Sequence, residues 1–312
     1  VTNPITNALT IDLEDYYMVS AFETVVAKEQ WRNYESRIER STHRVLDILD
    51  AANGKHGVKA TFFCLGWVGE RYRPLIREIE RRGHEIACHG YDHRLVYSMT
   101  PEQFREDVLV SKRILEDAVG KSVIGYRAPS YSITEKSLWA LDILGEEGYR
   151  YDSSIFPIHH DRYGIPTAPR VPFLVMRNGD GVNGAPVPAR LVEMPLWKSN
   201  RAAWCEDGIV EYPISTVKVL GCNVPVSGGG YMRLFPYGMI RKGLLKINAE
   251  EEQPFVFYLH PWEFDPEQPR MTNASILSRF RHYVNLGETA GKLQRLLGDF
   301  RFSPMADVIG LR

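Results

Sequence analysis

Apolar residues in the first half of the chain follow two alternating patterns. Short apolar runs occur at 8–11 (ALTI), 58–65 (VKATFFCL) and 84–90 (HEIACHG), as buried strands would. Between them lie stretches whose apolar residues share one helical face. Val45, Leu46, Ile48, Leu49 and Ala52 predict a helix over 41–52, and Gly54 and Gly57 break the chain after it. Leu75, Ile76 and Ile79 predict a second helix over 72–82, closed by Gly83. The clearest helix start is Thr100-Pro101-Glu102-Gln103, where Thr caps, Pro suits the first turn and Gln completes a capping box. That helix should run through Phe104, Val108, Ile114 and Leu115 to Gly120. A strand at 123–126, a helix at 134–148 and a strand at 149–151 follow. Such alternation predicts an α/β fold with a mostly parallel sheet, open or closed into a barrel.

The pattern loosens over 156–224, where Pro and Gly are frequent (IPTAPRVPF, RNGDGVNGAPVPA). Long loops with one or two short strands are expected there, as an insertion packed on the same domain. Order returns with a helix near 236–249, a buried strand at FVFYL (255–259) and a last helix over about 275–297. There is no internal repeat.

Composition narrows the class. With 44% hydrophobic, 25% charged and 11% aromatic residues, the 312-residue chain has globular proportions. Its length admits one large domain or two smaller ones. Lys+Arg 38 against Asp+Glu 39 argues against nucleic acid as the main partner. No run of like charges suggests a polybasic membrane patch. Cys64, Cys88, Cys205 and Cys222 include no CxxC pair, and small buried thiols in a reducing compartment are expected. The first residues have no basic start followed by an apolar stretch, although trimming before Val1 stays open. No stretch approaches the ~20 apolar residues of a membrane span. The expectation is a soluble, cytoplasmic protein.

In parallel α/β sheets chemistry collects at the carboxyl ends of the strands. Three predicted strands end there on polar groups: Asp12, Glu14 and Asp15; His89 and His93; and His260. Two imidazoles four residues apart plus a carboxylate form a usual catalytic divalent site. One carboxylate can bind the metal while another stays free as a base. If the first strand persists, Asp12 and Glu14 face the same way; if it ends at Leu13, Asp15 reaches the metal instead. Arg127, after IGY, can hold a carboxylate in a bidentate fork. Asp152 could orient His260 or the metal histidines, or cap the SSIF turn. His84 opens its strand at the wrong end of the sheet and reads as structural. Ser227-Gly228-Gly229-Gly230 lacks the Lys-Ser/Thr of a phosphate loop and reads as a flexible loop lining the substrate groove, near Tyr231 and Arg233. Tyr131 and Trp262 are candidates for stacking on sugar faces.

ALTIDLED, ATFFCLG, HEIACHGYDH, GYRAPSYS and FYLHPWE occur in the order of the motifs of the NodB-homology polysaccharide deacetylases, carbohydrate esterase family 4. The chain resembles most the branch associated with exopolysaccharide and exosortase loci, in which SGGGYMRLFPY and FRFSPMADV also look familiar. The likeness covers nearly the whole chain. It implies one deacetylase domain over 1–312, a distorted (β/α) barrel of about seven mostly parallel strands with helices outside and a family-specific C-terminal helix. It implies removal of N-acetyl groups from amino sugars of a bacterial polysaccharide or lipid-linked oligosaccharide. It also implies a divalent metal, zinc first, with cobalt, nickel or manganese as alternatives. Asp12 matches the family's base, His89 and His93 its metal histidines, Arg127 the arginine that orients the base, and His260 the proton donor. The common family form has adjacent aspartates, whereas here Leu13 follows Asp12. A related branch spaces the acids by one residue, making Glu14 the ligand, with Asp15 the alternative. Rival readings are an allantoinase-like or other C–N amidohydrolase on the same scaffold, and a glycan-binding protein without catalysis.

Overall fold

The computed structural model of the protein describes residues 5–52, 54, 57–176, 190–192 and 208–312. The first half runs β1 (Thr6–Leu13), α1 (Ile38–Ala51), β2 (Thr61–Cys64), α2 (Gly66–Arg71), α3 (Arg73–Arg81), β3 (Glu85–Cys88), α4 (Pro101–Val119), β4 (Gly125–Tyr126), α5 (Trp139–Glu146) and β5 (Tyr151–Asp152). The predicted capping box is present: Gln103 N donates to Thr100 Oγ1, and Thr100 N donates to Gln103 Oε1. Gly120 ends α4 in the left-handed conformation at φ 68°, which a residue without Cβ adopts freely. His84 is structural, as expected. Its Nδ1 accepts from Ala60 N, and burial lowers its pKa to about 4.

The second half runs β6 (Phe173–Met176), β7 (Arg190–Val192), β8 (Gly208–Glu211), β9 (Thr216–Val219), β10 (Cys222–Pro225), α6 (Gly229–Leu234), α7 (Tyr237–Ala249), β11 (Val256–Leu259), α8 (Ile276–Tyr283), α9 (Thr289–Asp299), β12 (Arg301–Ser303) and α10 (Met305–Ile309). Ten strands form one mixed sheet in the order β11-β1-β2-β3-β4-β5-β8-β6-β7, with β12 also on β1. The sheet curves into a half-barrel with helices around it, an α/β fold of the expected class. Seven residues of β1 and all of β2, β3 and β11 are buried, as parallel strands covered on both faces must be.

The parallel series β11-β1-β2-β3-β4-β5-β8 has the expected seven strands, and among the described residues β12, β6 and β7 enlarge the sheet to ten. β8 extends the parallel set beside β5, and β6 and β7 add antiparallel strands, while β9 and β10 form a separate hairpin. The rest of the predicted insertion, 177–189 and 193–207, lies outside the described residues, as does Cys205. The predicted last helix is two helices, α8 and α9, broken where Asn285 takes a left-handed φ of 50°. Finally, β12 and α10 follow it unpredicted, and α10 is tied to β3 by the Ala306 N–H donating to Glu85 Oε2. No helix among the described residues is long and apolar enough to cross a membrane.

Candidate metal centre

β1 ends at Leu13, but Asp15 does not take the ligand position expected in that case. In the turn that follows, the Glu14 N–H donates to the Asp12 carbonyl, which leaves Glu14 beside the histidines at the carboxyl end of the sheet. Asp15 points elsewhere. Asp15 Oδ2 accepts from Ser36 Oγ (2.8 Å), Arg37 N (2.8 Å) and Ile38 N (3.1 Å), and Oδ1 accepts from Tyr16 N (2.9 Å). Its carboxylate therefore anchors the N-terminus of α1, where free amides attract negative charge. Burial raises the Asp15 pKa to about 6 despite those bonds. This removes Asp15 from the ligand set expected for the cluster.

After β3 the chain forms a tight loop with Gly90 at φ 72° and His93 at φ 61°. The left-handed turns bring the His89 and His93 rings to 5.6 Å between centroids. Asp107 of α4 holds the loop from below, accepting from Tyr91 N at 3.0 Å. His89 Nδ1 lies 2.8 Å from the Arg127 carbonyl oxygen. A carbonyl only accepts, so Nδ1 carries the proton and Nε2 is left as a lone pair. Burial lowers the His89 pKa to about 4, which keeps it neutral.

Glu14, His89 and His93 each offer one ligand atom, and these lie within 4.8 Å of one another. Glu14 Oε2 and His93 Nε2 face each other at 3.0 Å, and Oε2 has no hydrogen-bond donor although it is buried. Two acceptors at that separation need a proton or a cation between them. Burial penalises the Glu14 carboxylate, but the neighbouring His93, followed by His260 and His89, brings its pKa down to about 2. One carboxylate and two imidazoles fit a divalent metal.

Asp12 and His260 flank this cluster. Arg127, wholly buried, donates from Nη1 to Asp12 Oδ1 at 2.7 Å and to Thr10 Oγ1 at 2.8 Å. The expected bidentate fork on one carboxylate is instead divided, because Nε and Nη2 donate to Ser153 O and Ser153 Oγ. His260 Nε2 lies 3.8 Å from Asp12 Oδ2 and 3.5 Å from Glu14 Oε1. Its Nδ1 donates to Glu263 Oε1 at 2.7 Å. Burial pulls the His260 pKa down, but the Glu263 hydrogen bond and the charges of Glu14, Glu263 and Asp12 outweigh it and raise it to about 9.

Glu263 is the residue the sequence reading missed. Its Oε2 lies 3.6 Å from Arg233 Nε. The only local signal was its place three residues after His260. Asp152 does not take the orienting role considered for it. Its Oδ1 accepts from Ser154 Oγ, which itself accepts from Ala128 N, so it braces the turn that follows β5. Asp152 is in register with Glu211, and both are fully buried. Burial raises both pKa values, and the Asp152 charge raises that of Glu211 further.

The cavity over these residues is also lined by Ser20, Leu95, Tyr97, Ser130, Tyr131, Tyr163, Arg162 and Arg281. Tyr131 reaches it, as expected. Trp262 does too, but His260 and His282 stack on it, so no free face is left for a sugar. Tyr231 is not among the lining residues; it is half-buried and hydrogen-bonded to Tyr163. The Ser-Gly-Gly-Gly segment is not a groove loop either. Gly229 and Gly230 enter α6, and Arg233 donates to the Arg281, His282 and Val284 carbonyls. Gly228, at φ 110°, sits where a Cβ would fall 2.4 Å from the Tyr258 ring. At Gly229 a Cβ would fall 1.6 Å from Glu263 Oε2.

Residues 27–150 match the family model for Polysaccharide deacetylase, and 185–310 match Domain of unknown function (DUF3473). The chain is 33% identical over 107 residues to a peptidoglycan deacetylase of Helicobacter pylori, a match covering 34% of this chain and 35% of that one. It is 31% identical over 102 residues to a peptidoglycan-N-acetylglucosamine deacetylase of Bacillus cereus, covering 32% and 36%. The matches thus span about a third of the length of these curated relatives. In fold, the chain is similar to a crystal structure of a candidate polysaccharide deacetylase from Mycobacterium smegmatis, with a TM-score of 0.56 and 16% identity over 100% of this chain and 92% of that one. Residues 27–150 thus carry a polysaccharide deacetylase domain of the NodB-homology, carbohydrate esterase 4 type, and the DUF3473 region fits the exopolysaccharide-associated branch.

Proposed function

We propose that the protein is a metal-dependent hydrolase that removes N-acetyl groups from amino sugars of a bacterial polysaccharide or its precursor, releasing acetate. The observation that carries this reading is the cluster of Glu14, His89 and His93, flanked by an arginine-held Asp12 and a glutamate-held His260. Glu14, His89 and His93 would hold the metal, zinc first, with cobalt, nickel and manganese as alternatives. When bound, such an ion supplies a Lewis acid for an attacking water and for the amide carbonyl.

The chain's own groups move the protons. Asp12 Oδ2, free of the Arg127 bond, takes the proton of the attacking water as it adds to the amide carbon. Arg127 fixes the carboxylate for that transfer. His260, kept protonated by Glu263 and the neighbouring acids, delivers its proton from Nε2 to the departing nitrogen. A general acid is required because an amine anion is a very poor leaving group. Asp12→Asn and His260→Ala should each lower acetate release from N-acetylglucosamine oligomers by 10²-fold or more, with unchanged circular dichroism. Wild-type-like turnover by either variant removes its role. Small cyclic amides tested in parallel separate deacetylation from allantoinase-like chemistry. Glycan binding without chelator-sensitive acetate release identifies a binding protein instead.

A further inference from the structure

Helix α8 exposes Ile276 (85%), Leu277 (56%) and Phe280 (55%), large apolar side chains that a soluble surface normally covers. At i, i+1 and i+4 they form one stripe. Around the stripe stand Arg270, Arg279 and Arg281, all exposed, and none of them has an ion-pair partner among the described residues. Residues 268–287 contain no Asp or Glu. The acids next in sequence, Glu267 and Glu288, are paired with Arg40 and Lys292. Ile276, Phe280, Arg270 and Arg279 border one shallow depression, so the apolar and basic groups meet at the same spot. The same helix turns Ser278 and Arg281 into the lining of the metal-site cavity.

We propose that α8 is a membrane-contact element that lies in the surface of an anionic lipid bilayer beside the cavity mouth. Ile276, Leu277 and Phe280 enter the acyl boundary, and the three arginines engage lipid phosphates. An apolar stripe flanked by cations without a carboxylate partner among the described residues, on a segment without acids, is complementary to that surface, even though Arg270 also lies over the Tyr283 ring. A neutral protein face would satisfy the stripe and leave the charges of the arginines unanswered. The sequence reading found no run of like charges, because the three arginines of 270–281 alternate with apolar and neutral residues.

The test is cosedimentation of the full chain with vesicles of phosphatidylcholine containing about 30% phosphatidylglycerol, against phosphatidylcholine alone. Sedimentation with the anionic vesicles only is expected, weakening as salt rises. Ile276→Ser/Phe280→Ser and, separately, Arg270→Gln/Arg279→Gln should each reduce the partition coefficient about tenfold. All four side chains are exposed, so both variants should keep wild-type circular dichroism. No sedimentation, equal sedimentation with neutral vesicles, or sedimentation unchanged by the apolar pair overturns the proposal. So does self-association that depends on that pair and replaces vesicle binding. The readout involves no catalysis, so its failure leaves the deacetylase reading standing, and the reverse holds too.

Discussion

At the scale of single residues, the proton donor is set by a chain of contacts that ends on a glycine. His260 is held by Glu263, and the glutamate occupies space that exists because residue 229 has no Cβ. Gly229→Ala should displace the carboxylate and lower acetate release at least tenfold while metal binding persists, measured by isothermal titration. Glu263→Gln removes a negative charge beside the imidazole, so the His260 pKa must fall. The alkaline limb of the kcat/KM profile should then move to lower pH, and an unmoved limb would remove Glu263 from the mechanism. Asp12, His89, Arg127 and His260 were legible because each stands at the end of an apolar strand, and His93 because it follows His89 at a ligand spacing. Glu263 was not, since its meaning depends on Arg233 and Gly229, some thirty residues away in sequence. The choice between Glu14 and Asp15 could not be read from where β1 stops, because it is decided by the amides of Arg37 and Ile38, which draw Asp15 away from the cluster.

At the scale of elements, two buried carboxyls brace the site by holding helices and loops. Asp15 ties the turn after β1 to the start of α1, so Asp15→Ala should cost about 2–4 kcal/mol of stability, measured by urea denaturation. Asp107 joins α4 to the loop carrying His89 and His93. Burial, with a smaller contribution from the Asp92 charge, raises its pKa to about 7. A folded-state carboxyl raised above its unfolded value contributes stability at low pH that is lost as pH climbs from about 4 to about 7. Asp107→Asn should therefore match wild type near pH 4 and exceed it at pH 8, by on the order of 1–3 kcal/mol. Helices with strong caps, such as α4, could be read to within a residue. The break between α8 and α9 could not, because Asn285 in a left-handed conformation leaves the apolar spacing intact. Nor could β6 and β8, since runs of a few residues become strands only when a partner completes their hydrogen bonds.

At the scale of the whole molecule, the metal cluster spans two strands, with Glu14 after β1 and both histidines after β3. A ligand that binds only the folded state stabilises it, by about 2.7 kcal/mol at a hundredfold excess over Kd. Zinc should raise the Tm of the chelated protein by several degrees. Glu14→Ala should abolish that increment and Asp15→Ala should keep it, the reverse outcome returning Asp15 to the ligand set. The pairing of β1 has a consequence of another kind, for how the chain reaches this state. One edge of β1 is met by β2, and later by β12 ahead of it, but the other waits for β11, Ala8 joining Val256 there. During synthesis β1 is thus left with an open, apolar edge until the chain as far as β11 has followed. Such distant pairing makes folding slow and leaves the partly made chain prone to aggregate. A nascent chain halted before β11 should hold a chaperone, and release it only once the closing strands are out.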